Sequence, residues 1–226
     1  MNMFSKNTAA VVEAFEKIKI IPVLALESAD QGLKLCEVLM NNGLPAAEIT
    51  FRTAAAEETI RRAAKEFPGM TLGAGTVLNT DNLLRARDAG ASFAVAPGFN
   101  PTVVRAAVEA GFPFVPGVCT PSEIEQAFEA GCFFLKFFPA EAAGGVKMLQ
   151  NFLAPYRHLG IRFMPTGGVS PANVESYLAI PEIVAVGGTW LAKAKDISAA
   201  AASGDWSAIA AIASEASAVA AKYIAR

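Results

Sequence analysis

Short apolar runs recur along the chain, and the segments between them carry a helical pattern. The runs are IIPVLAL (20–26), AAEITFR (46–52), TLGAGTV (71–77), FAVAPG (93–98), FPFVPGV (112–118), FFLKFFP (133–139), RFMPTGGV (162–169) and IVAVGGTWL (183–191). Their length and nearly continuous hydrophobicity predict parallel strands buried on both faces. Between them, segments such as QGLKLCEVLMNNG, AAAEETIRRAAKEF and PSEIEQAFEAG place apolar residues three and four apart, as amphipathic helices do. Gly43, Gly90, Gly111 and Gly131 stand where helices would end, and Pro101 and Pro121 follow Asn100 and Thr120 where helices would begin. Eight strand-then-helix units in about 200 residues predict an α/β protein of the (β/α)8 TIM-barrel class. An open doubly wound sheet would need a glycine-rich dinucleotide turn after the first strand, and LALESADQG does not supply one. Two segments fall outside the repeat. NTAAVVEAFEKIK reads as an extra N-terminal helix closing the bottom of the barrel. The Ala-rich C-terminal segment from Gly204, with Asp205 as N-cap and an apolar stripe of Trp206, Ile209, Ile212 and Tyr223, reads as the eighth helix. No linker interrupts the pattern, so residues 1–226 are read as one domain.

In such a barrel the chemistry gathers at the C-terminal ends of the strands. On the second strand Glu48, Thr50 and Arg52 share one face and Ile49 and Phe51 the other; with the apolar pair toward the helices, the polar three face the interior. The pair is either a self-satisfied salt bridge or working chemistry, with arginine's planar fork for a carboxylate and glutamate for proton transfer. The third strand ends GAGT, putting Thr76 after two glycines, and Pro97 and Gly98 mark the top of the fourth. The seventh and eighth strands end PTGGV and VGGTW, at the recurrent phosphate position of this architecture, and a helix beginning near Pro171 would add its N-terminus. Lys136 stands among Phe133, Phe134, Leu135, Phe137 and Phe138. It is either a snorkelling edge lysine or a desolvated amine made nucleophilic by burial. An amine, a carboxylate, an arginine and a phosphate cradle together suit Schiff-base chemistry on a phosphorylated 2-keto acid.

Composition narrows the alternatives. A formal net charge of -2 and no long basic run disfavour nucleic acid or an anionic membrane as partner. Three scattered cysteines form no disulfide framework and suit a reducing cytoplasm, and no run is long enough to span a bilayer. The single histidine, His158, cannot build a multi-histidine metal site and reads as a surface residue. No metal or cofactor is expected.

The motifs EITFRT, GAGTVL, APGFNP, PGVCTPSE, KFFPAEAAGGV, PTGGVSPAN and VGGTWL, in this order, resemble the bacterial 2-keto-3-deoxy-6-phosphogluconate (KDPG) and 4-hydroxy-2-oxoglutarate (KHG) aldolase family. The resemblance implies a cytoplasmic, homotrimeric class I aldolase of the Entner–Doudoroff pathway, acting on a phosphorylated keto acid with pyruvate and glyceraldehyde 3-phosphate as products. It implies Lys136 as the Schiff-base lysine and Glu48 as general acid/base. It also implies Arg52 and Thr76 on the pyruvyl carboxylate, Pro97 and Phe138 lining the pyruvate pocket, and Thr166 near the aldehyde. Gly167, Gly168, Gly188 and Thr189 match the phosphate site. Departures are small: Thr189 stands where serine is usual, Phe51 where leucine is common, and HLGI before the seventh strand is slightly longer. An isomerase or epimerase sharing the phosphate loops, or a non-catalytic phosphosugar-binding protein, is the alternative that Lys136 argues against.

Overall fold

The computed structural model describes residues 3–224. Among the described residues nine strand segments form one ring: β1 Ile20–Leu24, β2 Ala46–Thr50, β3 Thr71–Gly75, β4 Phe93–Val95, β5 Phe114–Val115, β6 Gly117–Val118, β7 Phe134–Phe137, β8 Arg162–Pro165 and β9 Val186–Gly188. Six of them run β5-β4-β3-β2-β1-β9 and three run β6-β7-β8, with all pairings parallel. The fifth predicted strand is thus broken in two. Pro116 has no amide hydrogen to donate; its carbonyl still accepts from Lys136 N at 2.9 Å. The first half pairs with β4 and the second with β7, so one bent strand joins the two sheets. Isolated bridges Phe163↔Ile183 and Thr166↔Gly187 close the other seam, between β8 and β9. The result is the eight-staved barrel that the periodicity predicts.

Helices follow the strands and wrap the ring: α2 Ala29–Asn41, α3 Ala55–Glu66, α4 Thr80–Asp88, α5 Pro101–Ala110, α6 Pro121–Glu129, α7 Gly145–Tyr156, α8 Val174–Leu178 and α9 Ala194–Ser203. Ser28, Asn79, Asn100 and Thr120 accept amide hydrogens at four of the starts, each worth about 1 kcal/mol. Gly43, Gly90, Gly111 and Gly131 turn left-handed past helix ends, as the sequence predicts. Two expectations are corrected. The helix foreseen near Pro171 begins only at Val174 and has five residues, because 171–173 form a turn in which Ser170 N donates to Asn173 Oδ1. The C-terminal helix α10, Ser207–Ile224, is preceded by α9, from which left-handed Gly204 separates it. Asp205 still holds its start, accepting from Ser207 N at 2.9 Å.

Two apolar cores result. One fills the layer between strands and helices, with Ile49, Ala74, Leu135 and Phe137 on it. The other lies inside the ring and is capped from below by α1, Met3–Ile18, whose Val11, Val12, Phe15 and Ile18 join Phe93, Val95, Val115, Phe134 and Met164. Phe15 meets the rings of Phe93 and Phe134 edge-on at 4.9 and 5.8 Å. This aromatic floor at the strand starts makes the interior a packed core and leaves the opposite mouth for polar side chains.

Candidate active site

Alternation along β7 resolves the odd lysine. Leu135 and Phe137 point outward, where Phe137 packs edge-on against Phe152 of α7, while Phe134 and Lys136 share the inward phase. Phe134 belongs to the floor and Lys136 stands one step above it. Its side chain is 7% exposed, and its ammonium lies 5.4 Å from the Phe138 ring centroid. Inward residues of β2 follow the same phase: Ala46 in the floor, Glu48 above it, then Thr50. Glu48 and Lys136, 88 residues apart, meet at 3.3 Å between Oε1 and Nζ.

This pair is costly. At an effective dielectric near 20, two unit charges 3.3 Å apart attract by about 5 kcal/mol. Desolvation takes back several kcal/mol for each ion. Glu48, 1% exposed, also keeps Oε2 buried with no partner. Thr166, next above Met164 on the inward side of β8, has its Oγ1 buried and unpartnered as well. A buried polar atom without a partner costs about 1–3 kcal/mol, so these two atoms mark where an incoming polar group would be gained by the fold.

Glycines give these side chains their room. A Cβ on Gly75 would lie 2.3 Å from Glu48 Oε1, and one on Gly73 would lie 2.1 Å from the Phe93 ring. The same strand thus yields to the floor at one glycine and to the carboxylate at the next. A Cβ on Gly187 would lie 2.3 Å from Thr166 Oγ1. Thr76, immediately past Gly75, holds φ +58. A β-branched residue in that region is strained, and such strain gathers at functional sites.

The remaining predicted residues ring the mouth. Arg52 is exposed and lies just beyond β2, which ends at Thr50, so it stands at the rim and not inside the barrel as the alternation alone implied. Thr50, given no role by the sequence reading, ties it down: its Oγ1 donates to Leu24 O at 2.8 Å and accepts from Arg52 Nε at 3.3 Å. Pro97 and Phe138 are half-buried at the tops of β4 and β7. Gly167 and Gly168 turn left-handed after β8 with φ +97 and +83, and the Thr166↔Gly187 bridge sets them beside Gly188 and Thr189. Gly188 is also required by packing, since a Cβ there would lie 1.8 Å from the Trp190 ring. Glu141 and Tyr177, likewise assigned no role from sequence, meet near the Gly167–Gly168 turn, where the tyrosine hydroxyl donates to Glu141 Oε1. His158 is exposed in the short helical turn Arg157–Leu159, a surface residue as the sequence implies.

Known proteins bear on this geometry. Residues 11–212 match the family model described as KDPG and KHG aldolase. The 2-dehydro-3-deoxy-phosphogluconate aldolase of Haemophilus influenzae is 47% identical over 191 residues, covering 84% of this chain and 89% of that protein. The KHG/KDPG aldolase of Escherichia coli (strain K12) is 40% identical over 197 residues, 87% and 90% of the two chains. Among solved structures, the KDPG aldolase of Legionella pneumophila, with pyruvate captured as a covalent carbinolamine, superposes with a TM-score of 0.84 at 32% identity, covering 91% of this chain and 97% of that one. That of Zymomonas mobilis ZM4 with 3-phosphoglycerate gives 0.81 at 35% identity, covering 92% and 95%. The thiamine phosphate pyrophosphorylase of Pyrococcus furiosus, 14% identical with a TM-score of 0.66, shares the fold alone. With most of its length aligned to these enzymes, the chain belongs to the KDPG and KHG aldolase family.

Proposed function

We propose that this protein is a class I aldolase that reversibly cleaves 2-keto-3-deoxy-6-phosphogluconate to pyruvate and glyceraldehyde 3-phosphate, and that it also takes 4-hydroxy-2-oxoglutarate, giving pyruvate and glyoxylate. The observation that carries this reading is the contact between the buried side chains of Lys136 and Glu48 in the barrel mouth. The Lys136 ammonium passes a proton to Glu48, the freed amine attacks the C2 carbonyl, and the carbinolamine takes that proton back as it loses water to an iminium that serves as the electron sink. Glu48, directly or through water, takes the proton from the C4 hydroxyl as the C3–C4 bond breaks, releasing the aldehyde. The enamine is then protonated at C3 and hydrolysed, which frees pyruvate and restores the amine. Arg52 and Thr76 hold the pyruvyl carboxylate, with Pro97 and Phe138 as apolar walls, and Thr166 offers its unpartnered hydroxyl to the aldehyde portion. Gly167, Gly168, Gly188 and Thr189 receive the phosphate. The unbroken repeat leads us to assign one domain, the scattered cysteines a cytoplasmic location, and the resemblance to the family a homotrimer.

Borohydride reduction in the presence of pyruvate, followed by peptide mass mapping, tests the reading. A reduced pyruvyl adduct on Lys136 is expected. A folded protein at saturating pyruvate that yields no adduct returns Lys136 to a packed strand residue and favours an epimerase using Glu48.

A further inference from the structure

We infer that Glu141 and Tyr177 form a strut that positions the Gly167–Gly168 turn, and so set the affinity for the phosphorylated end of the substrate without touching the reacting carbons. This deepens the aldolase reading and rests on it.

The loops leaving β7 and β8 are joined along their backbones: Ala140 N donates to Thr166 O at 2.8 Å and Glu141 N to Gly167 O at 3.0 Å. The Glu141 side chain then fills the space between two left-handed glycines, Gly145 at the start of α7 and Gly168 after β8. A Cβ on Gly168 would lie 2.6 Å from Glu141 Cβ and 2.7 Å from its Cγ. One on Gly145 would lie 3.1 Å from Glu141 Oε1 and 3.5 Å from the Tyr177 hydroxyl. The turn therefore rests on the glutamate's methylene groups while the carboxylate is held from the other side.

Tyr177 does the holding. It is fully buried on α8 and donates to Glu141 Oε1. Burial first, and the adjacent carboxylate second, push its phenol above the usual tyrosine range, so it stays protonated and remains a donor throughout neutral pH. Glu141 is exposed at the rim beside the turn proposed to receive a phosphate. Engaging one of its oxygens on Tyr177 fixes where its side chain lies, and the turn that packs on its methylene groups is fixed with it.

Tyr177→Phe keeps the ring and removes only the donor. Steady-state kinetics with 2-keto-3-deoxy-6-phosphogluconate and with unphosphorylated 4-hydroxy-2-oxoglutarate, together with deuterium exchange at C3 of pyruvate, read the effect. Loss of a hydrogen bond to a charged group predicts a KM for the phosphorylated substrate raised by about tenfold, with pyruvate exchange and the KM for the unphosphorylated substrate within about twofold of wild type. Glu141→Ala should reproduce this pattern, and Glu141→Gln, whose amide oxygen still accepts from the phenol, should retain the wild-type KM. An unchanged KM in Tyr177→Phe, or an equal loss of exchange and affinity, overturns the strut while leaving the aldolase assignment intact. Absence of exchange in the wild-type protein sinks the assignment and the strut's purpose with it.

Discussion

Lys136 and Lys19 are both drawn away from water, at opposite ends of the barrel, and their surroundings differ in kind. Lys136 rises from the floor beside a carboxylate that is itself buried and has one oxygen without a partner. Lys19 occupies the link between α1 and β1, at the edge of a cavity of about 370 Å³ that Glu16, Arg162, Ile180 and Tyr223 also line. Burial pushes its ammonium below the usual lysine range; nearby Glu16 opposes that shift, and Arg162 adds to it. Helix α1 ends one residue before Lys19, and α8 and α10 end at Leu178 and Ile224, which also line this cavity. Lys19 also takes the left-handed position past α1, φ +63, with its amide donating to Phe15 O at 2.7 Å. Withdrawing an amine from water is therefore not enough to make a site. What distinguishes Lys136 is a buried partner with unspent capacity, on strands whose open ends face the mouth.

The largest effect should come from breaking the buried pair one residue at a time. Lys136→Met leaves Glu48 buried and unpaired, and is expected to cost about 3–5 kcal/mol in denaturant unfolding as well as all aldol cleavage. Adding Glu48→Gln should recover most of that stability and none of the activity. Equal stability of the single and double variants would mean that the pair is not energetically coupled. Next comes the strand that serves both floor and carboxylate. Gly75→Ala must displace Glu48, so kcat should fall by about 100-fold while the Lys136 adduct with pyruvate still forms. Gly73→Ala presses on the Phe93 ring and should cost about 1–3 kcal/mol of stability with catalysis kept, which separates floor from site.

The smallest effect is predicted at the other lysine. Lys19→Gly relieves a left-handed backbone and should stabilise the fold by about 1 kcal/mol, leaving kcat unchanged. Because the folded state lowers the Lys19 pKa, its charged form weighs against folding at neutral pH, and that penalty lifts as the pH rises through the folded value toward the ordinary 10.5. The advantage of Lys19→Gly should therefore shrink as unfolding is measured at increasingly alkaline pH. An advantage that grows instead would show that the lysine is favourably paired.

Much of the site was readable because it depends on phase. Glu48 and Lys136 fall on the inward side of strands whose outward residues are apolar, and a period of two exposes that in sequence. Arg52 illustrates the limit: the alternation carried β2 two residues too far, and a hydrogen bond from Arg52 to Thr50 sets its place at the rim. α9 was missed because ISAAAAS offers no contrast between faces, and the residues buried from it, Ile197 and Ala200, are recognisable only from what covers them.

The glycines divide most clearly between the two levels. Left-handed turns at helix ends were legible, since the chain's own local geometry demands them. The close-approach glycines were not. Gly73 yields to Phe93, Gly75 to Glu48, Gly168 to Glu141, Gly187 to Thr166 and Gly188 to Trp190. Most of these partners lie far along the chain or on another element, as do Glu141 and Tyr177. Periodicity and local backbone preference act within a few residues, so the sequence by itself determined the eight-unit repeat, the inward phase of Glu48 on the second strand and the candidate lysine among its apolar neighbours. Which side chain fills each gap depends on the pairing of neighbouring strands, which brings Gly73 to Phe93 and Gly75 to Glu48, and on the closed ring, which brings Lys136 to Glu48 across 88 residues; both were decided by the tertiary structure.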